Sequence, residues 1–336
     1  MKNIELPRKV LVGHDALYEV DDVVFELGLT GPALILCDEV TRGVAGDTVA
    51  VELESKVTLT GGLDDSWFDS MRKKISGEGI RYVVGVGGGK TLDIGKVVAF
   101  ESHLPYISVP TAASHDGIAS PQASLKRDKP TSVQVHCPIG VVADTKIISK
   151  APKKLLAAGC ADAISNYTAV LDWKLAHHER GEYFGDYASA LSSMSAEIVM
   201  DNASKIYSNI SILVEALISS GVAIGIAGSS RPASGAEHQF SHSLDLICEK
   251  PALHGEQCGV GTIMMAYLHG ADWERVRDCL KKCHAPTTAK GLGIDDNVIV
   301  EALVKAAKIR DRYTILRDGL KEDKARQLAK ATGVIS

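Results

Sequence analysis

Positive charge is scarce in this chain of 336 residues: 37 lysines and arginines stand against 42 aspartates and glutamates, for a formal net charge of -5. That balance, with a pI near 6.1, argues against nucleic acid as the main partner. A pocket for an anionic substrate must therefore be a local feature with its own cations. No apolar run approaches the roughly 18 to 20 residues needed to span a bilayer, so membrane insertion is not expected. The opening residues, MKNIELPRKVLVGHDALYEV, have neither the apolar core nor the small-residue cleavage site of a secretory leader. A cytoplasmic protein is expected. Seven cysteines, at 37, 137, 160, 248, 258, 279 and 283, lack the dense spacing of a disulfide framework. Cys279 and Cys283 in CLKKCH are one helical turn apart with no second ligand pair, and read as packing or a helix end.

What is present is ordinary globular composition, 45% hydrophobic and 24% charged, in a chain long enough for two cores. The first half alternates short apolar runs with amphipathic stretches. ALILC (33–37), VAVEL (49–53), RYVVGV (81–86), PYISV (105–109) and GVVAD (140–144) read as strands. Residues 15–29, 64–79 and 91–101 read as helices between them. Continuous apolar strands separated by helices predict a parallel sheet covered on both faces. From residue 151 apolar residues recur at three- and four-residue spacing, which predicts helices alone. The expected architecture is an N-terminal α/β domain with a Rossmann-like sheet over 1–150, for nucleotide binding. An all-α domain over 151–336 follows, for metal and substrate, with the active site in the cleft between them. The boundary falls near Ala151-Pro152.

VVGVGGGKTLDIGK (83–96) is a strand, a glycine loop and a helix start. Glycines admit close backbone approach, and a helix N-terminus offers unpaired N–H groups and partial positive charge to a pyrophosphate. The alternative is a plain tight turn, which would not need three successive glycines. The dinucleotide pattern G-x-G-x-x-G fails, because Gly85-x-Gly87 leads to Lys90. The pattern G-x-x-x-x-G-K-[ST] fails at its first glycine, because residue 84 is valine. A phosphate cradle of another lineage remains. Asp38 ends the second strand-like run, where an acid can hold adenosine ribose hydroxyls and repel a 2′-phosphate, leaning towards NAD over NADP. It can equally be a helix cap before Thr41.

The strongest chemical signal is GAEHQFSHSLDLICEKPALHGEQCG (235–259). His238 and His242 share a helix face, and His254 follows after a proline. A catalytic zinc takes three protein ligands and keeps one position open. Asp162, on an otherwise apolar helix where an unpaired carboxylate is costly, is a further ligand candidate. The bland alternative makes Asp162 a cap and the histidines surface residues. H-E-x-x-H is absent, so a metalloprotease lacks its key motif.

Together GGGKTLDIGK (87–96), SVPTAASHDGIASP (108–121), Asp162 and the H-x3-H…HG cluster (238–255) resemble one family over nearly the whole chain. It comprises glycerol dehydrogenases, dehydroquinate synthases and iron-containing alcohol dehydrogenases. Within it, SSRPASGAEHQFSHSLD (229–245), LHGEQCGVGTIMMAYLHG (253–270), APTTAK (285–290) and YTILRDGL (313–320) look like the archaeal-type sn-glycerol-1-phosphate dehydrogenases. The resemblance implies a dehydroquinate synthase-like fold and reversible NAD(P)H-dependent reduction of dihydroxyacetone phosphate, supplying the backbone of archaeal ether lipids. It implies NAD(H) or NADP(H) and one Zn2+ per subunit. Gly87, Gly88, Gly89, Lys90, Thr91 and Asp93 would hold the pyrophosphate. Thr111, Ala112, Ala113 and Ser114 would line the cofactor cleft, with Ser120 nearby. Asp116 would orient substrate hydroxyls. Asp162, His238 and His254 would bind zinc, Asp162 also lying near substrate. His242 would touch substrate and relay a proton, a role that suits imidazole. His115 departs from the family pattern, standing where a smaller polar residue is expected.

A phosphate ester also needs cations, and Arg231, Arg312 and Arg317 are the candidates. Each can equally be a structural ion pair. A homo-oligomer is expected. Three rivals remain open: a glycerol or small-alcohol dehydrogenase on the same scaffold, a dehydroquinate synthase, and a non-catalytic module with a closed structural zinc. A fourth ligand from Cys248 or Cys258 would favour the last.

Overall fold

The computed structural model describes residues 4–61, 64–126 and 130–336. They form two compact units, Met1–Pro152 and Lys153–Ser336.

In the first unit the strands are β1 (Lys9–Gly13), β2 (Ala33–Cys37), β3 (Val57–Leu59), β4 (Tyr82–Gly87), β5 (Tyr106–Pro110), β6 (Gln122–Lys126), β7 (Pro130–Gln134) and β8 (Gly140–Asp144). Six of them form one sheet in the order β1-β8-β5-β4-β2-β3, with every pairing parallel. β6 and β7 form a separate antiparallel hairpin. Helices α1 (Val20–Glu26), α2 (Asp47–Glu52), α3 (Asp65–Glu78) and α4 (Gly89–Glu101) connect the strands. The runs ALILC and YVVGVG are buried along their length because both faces of the sheet are covered. Leu34 and Leu36 pack with Val83 and with Ile94 and Val97 of α4. Ile35 and Cys37 point the other way, towards Val20 and Val23 of α1.

The sheet departs from the sequence expectation at its edge. VAVEL is not a strand; residues 47–52 form α2. Val49 is fully buried whereas Val51 is 74% exposed. Residues two apart share a face of a strand but diverge on a helix, and five residues are too few to reveal which period applies. The strands β1 and β3 and the β6–β7 hairpin also escape the sequence reading.

The order of the sheet determines where a ligand can sit. From β2 the chain runs outward to β3, then returns to β4 on the other side of β2. The carboxyl ends of β2 and β4 therefore flank the point where the strand order reverses, the usual ligand crevice of an open parallel sheet. Asp38 directly follows β2 and the glycine loop directly follows β4.

The second unit contains α5 (Lys153–Arg180), α6 (Asp186–Asp201), α7 (Ser211–Ala227), α8 (Ala236–Ile247), α9 (His254–Leu268), α10 (Trp273–Lys282), α11 (Asp296–Ala306) and α12 (Glu322–Ala331), with no strand among its described residues. No described helix is long and apolar enough to cross a membrane. α5 and α9 meet at small residues. A methyl group at Gly255 would lie 2.0 Å from the Ala158 carbonyl oxygen, and one at Gly259 would lie 2.8 Å from the Ala161 side chain. Only glycine at 255 permits this approach, and it brings the start of α9 against the turn of α5 that carries Asp162.

Candidate metal centre and nucleotide loop

Asp162 lies in the middle of α5, so it caps nothing, and it is 5% exposed. His238 is on the first turn of α8 and His254 is the first residue of α9. One ligand atom from each of Asp162, His238, His254 and Cys258 falls within 4.8 Å of all the others. The His254 Nε2 is 3.9 Å from Asp162 Oδ1, and the His238 and His254 rings are 4.9 Å apart. A carboxylate and two imidazoles at this spacing fit a divalent metal.

The histidines are held from behind. His238 Nδ1 donates to Glu237 Oε1 at 2.9 Å, which leaves Nε2 as its free nitrogen. Glu237 is fully buried. It also accepts from Gly235 N–H and, at 2.8 Å, from the Thr168 hydroxyl of α5. Burial pushes its pKa up, but the His238 hydrogen bond and charge and the backbone donors outweigh this and hold it below the usual carboxylate value. Behind His254 stands Ser241, 3.1 Å from Nδ1 and 3.2 Å from Gln257 Oε1. A hydroxyl that gives its proton to Gln257 accepts from His254 Nδ1–H, again leaving Nε2 for a metal. Asp172 of α5 accepts from the Ala236 N–H at 2.7 Å and so caps α8. These carboxylates fix the rotation of α8 and therefore where His238 points.

His242 sits one turn on from His238, its ring stacked on His254 at 5.6 Å. Asp245 Oδ2 lies 4.0 Å from its Nδ1, and Asp245 is tied to Gln257. The site has an exposed side: the side chains of His254 and His242 are 37% and 23% exposed. Cys258 closes the opposite, buried side. Its Sγ is 3.6 Å from His254 Nε2. Burial, and then the nearby charges of Asp162 and Glu237, push its thiol pKa well up. Cys248 is not in the cluster. Sequence reasoning missed Glu237 and Asp245. Asp245 had a signal, three residues after His242, whereas Glu237 reads as an ordinary first-turn acid.

In the first unit the N-terminus of α4 begins at Gly88, which has no side-chain cap. Its amides are available to an anion, and a methyl group at Gly88 would meet nothing within 4 Å. At Gly89 a methyl group would lie 1.8 Å from His115 Nε2. His115 therefore packs over the loop, held by Gly117 N–H donating to its Nδ1 at 2.8 Å. Asp38 caps the helical turn that follows β2. Its Oδ1 accepts from Val40 and Thr41 N–H at the start of a helical turn, and its Oδ2 accepts from Thr91 Oγ1 at 3.1 Å, bridging the two sides of the crevice. Lys90 is exposed. Asp93 is engaged elsewhere: its oxygens accept from Lys96 Nζ and Ser124 N–H, both at 3.0 Å, tying α4 to the hairpin. Thr111, Ala112, Ala113 and Ser120 are buried after β5, while Ser114 and Asp116 are half-buried.

The arginines do not gather at the metal cluster. Arg231 pairs with Glu182 and donates to the Tyr313 carbonyl. Glu182 folds back to bond Ala176, which stands fourteen residues beyond Asp162 on α5, about 21 Å at 1.5 Å per residue. Arg317 pairs with Glu179 at 2.8 Å, in the same region.

Comparisons with known proteins bear on the family and the fold. The model for iron-containing alcohol dehydrogenases matches residues 11–152. A curated glycerol-1-phosphate dehydrogenase (NAD(P)+) from Methanosarcina acetivorans is 54% identical, the match covering 100% of this chain and 97% of that protein. The enzyme of the same name from Thermococcus kodakarensis is 51% identical over 99% of this chain and 98% of its own. Among solved structures, glycerol dehydrogenase from Schizosaccharomyces pombe superposes with a TM-score of 0.83 at 21% identity, covering 99% and 90% of the two chains. Sulfoacetaldehyde reductase from Bifidobacterium kashiwanohense, solved with NAD+, gives 0.76 at 14% identity over 100% of both. These two likenesses speak for the fold.

Proposed function

The chain belongs to the family of archaeal glycerol-1-phosphate dehydrogenases, and from that premise we propose that it reduces dihydroxyacetone phosphate to sn-glycerol-1-phosphate, reversibly, with NAD(P)H. The observation that carries the reading is the open cluster of Asp162, His238 and His254, backed by Glu237 and Ser241. These three residues would hold a zinc ion, with Cys258 beside them in the cluster and one side left exposed at His254 and His242. A bound zinc supplies Lewis acidity that polarises the C2 carbonyl of the substrate.

The chain's own groups do the rest. The uncapped start of α4, at Gly88 and Gly89, receives the pyrophosphate, and Asp38 accepts from the adenosine ribose and disfavours a 2′-phosphate. Thr91 holds Asp38 in place for this. The backbone after β5, at Thr111 to Ser114, and Ser120 serve the cofactor, and Asp116 orients substrate hydroxyls. Asp93 keeps α4 in position through Lys96. A bound nicotinamide would supply the hydride for C2, and His242 would give the carbonyl oxygen its proton. Asp245 steadies the protonated imidazole. In the reverse direction His242 is the base. The product would serve as a lipid backbone. The unit over 1–150 is the nucleotide-binding domain in this reading and the unit over 151–336 the metal and substrate domain, with homo-oligomers formed in the cytoplasm.

The test is NADH and NADPH oxidation by purified, zinc-loaded protein with dihydroxyacetone phosphate or dihydroxyacetone. Turnover of the phosphate ester alone, abolished by a chelator and restored by zinc, is expected. Equal rates with both substrates would move the protein to the glycerol dehydrogenases. Asp162→Asn should lose metal and activity together.

A further inference from the structure

Five arginines line one cavity of about 840 Å³ in the second unit: Arg180, Arg231, Arg310, Arg312 and Arg317. Its floor is the C-terminal end of α5, and its wall is the segment after α11. Three acids also line it, but their distribution is uneven. Glu182 is taken by Arg231, while Asp311 and Asp318 are exposed. Arg317 has Glu179, and Arg180 lies over the Tyr313 ring at 4.5 Å. Two guanidiniums make no ion pair among the described residues, although Glu237 acts on both from a distance and Glu182 on Arg312. Arg312 donates only to neutral groups, the Ser234 carbonyl and, at 2.8 Å, the Ser230 hydroxyl. Arg310 has no hydrogen-bond or ion-pair partner among the described residues, although it is half-buried.

Burial, above all, pushes both groups down; Glu237 partly offsets this at Arg310, while repulsion from Arg310 and Arg231 adds to it at Arg312, which falls to about 9. An arginine does not release its proton in a protein. The push is instead a cost that the fold carries for as long as the cavity lacks an anion. Planar forks that converge without a carboxylate suit a tetrahedral dianion, which two of them can grip through paired hydrogen bonds.

We propose that this cavity is a binding site for a phosphorylated anion, held by Arg310 and Arg312 and separate from the metal centre. Separation follows from α5. Trp173 on the cavity floor is eleven residues beyond Asp162, about 16 Å along a continuous helix. Arg310 is within electrostatic reach of Glu237, the residue behind His238. The ligand is a phosphate monoester or free phosphate in addition to the substrate, and the site stands whether or not the metal centre has the chemistry proposed above.

Titration of inorganic phosphate into the full-length protein, followed by calorimetry, tests this. Arg310→Gln should weaken binding at least tenfold, and His254→Ala should leave it unchanged. Arg310 has no partner to lose, so Arg310→Gln should fold and, without phosphate, melt above the parent protein. Phosphate should raise the melting temperature of the parent and not of the variant. Phosphate affinity that is indifferent to Arg310→Gln overturns the proposal. Affinity that falls with His254→Ala as much as with Arg310→Gln also overturns it, because the anion would then be seated at the metal centre.

Discussion

Glu237→Gln separates the metal-orienting role of Glu237 from its part in the fold. The carboxylate accepts from three donors: His238 Nδ1 and Gly235 N–H on Oε1, and the Thr168 hydroxyl on Oε2. Glutamine has the same shape. Its carbonyl oxygen can keep the first two bonds, and its amide can donate to Thr168, whose hydroxyl already reaches the Ser165 carbonyl at 3.2 Å. No buried donor is orphaned, so the loss of stability should stay within about 1 to 2 kcal/mol. The loss of negative charge is another matter. An ionised partner raises the basicity of a ligating imidazole, and removing such a partner typically weakens metal binding ten- to a hundredfold, about 1.4 to 2.8 kcal/mol. Zinc affinity measured by competition with a chromophoric chelator should fall by that factor, while the unfolding midpoint of the metal-free protein moves little. At saturating zinc the variant should turn over near the parent rate, because Glu237 faces away from the exposed side of the cluster. Glu237→Ala serves as the contrast. It strands two donors, His238 Nδ1–H and Gly235 N–H, in a fully buried site and should cost about 3 kcal/mol or more of stability. Zinc affinity within twofold of the parent in Glu237→Gln would refute the reasoning, since the hydrogen bond to His238 would then be incidental to metal binding.

Gly255→Ala pushes a methyl group into the Ala158 carbonyl, a backbone atom that cannot swing aside. It should destabilise the protein by about 1 to 3 kcal/mol and weaken zinc binding by displacing His254, both measurable in one calorimetric series. Gly88→Ala meets no steric obstacle and should melt like the parent. It should still lose at least tenfold in NADH affinity by fluorescence titration, if the loop cradles the pyrophosphate. Thiol burial predicts the alkaline limit. The thiol of Cys137 is pushed from its ordinary value of 9.0 up to about 12, and that of Cys37 to about 11, chiefly by burial. An acid whose folded pKa is raised contributes stability that is complete below its unfolded pKa and is lost as pH rises towards the folded one. Stability should therefore decline from about pH 9 upward, and Cys37→Ser with Cys137→Ser should flatten that slope. Native-state thiol titration near neutral pH should find Cys248 the most reactive, since the other six are buried.

The difference between what the sequence discloses and what it hides lies in where each residue's partner stands. The buried strands are legible because an unbroken apolar run such as ALILC needs no information from elsewhere: both of its faces must be covered. VAVEL is illegible because its five residues fit either period, and only the contrast between buried Val49 and exposed Val51 decides. Asp162 stands out because a carboxylate on an apolar helix requires compensation, and the compensation proves to lie against the histidines of α8 and α9. Glu237 requires the same compensation, yet it hides, since an acid in the first turn of a helix is ordinary. Its burial depends on Thr168, sixty-nine positions away. The arginines make the strongest case. Arg310, Arg312 and Arg317 stand within one short stretch and are chemically identical, so local context cannot rank them. Tertiary contacts give Arg317 a carboxylate, Arg312 a carbonyl and a hydroxyl, and Arg310 nothing among the described residues. A cation's function is set by whether its countercharge comes from the chain or from a ligand, and that is a property of the fold alone. The unmatched Arg310 is therefore more informative about binding than the matched Arg231, although the sequence offered Arg231 first.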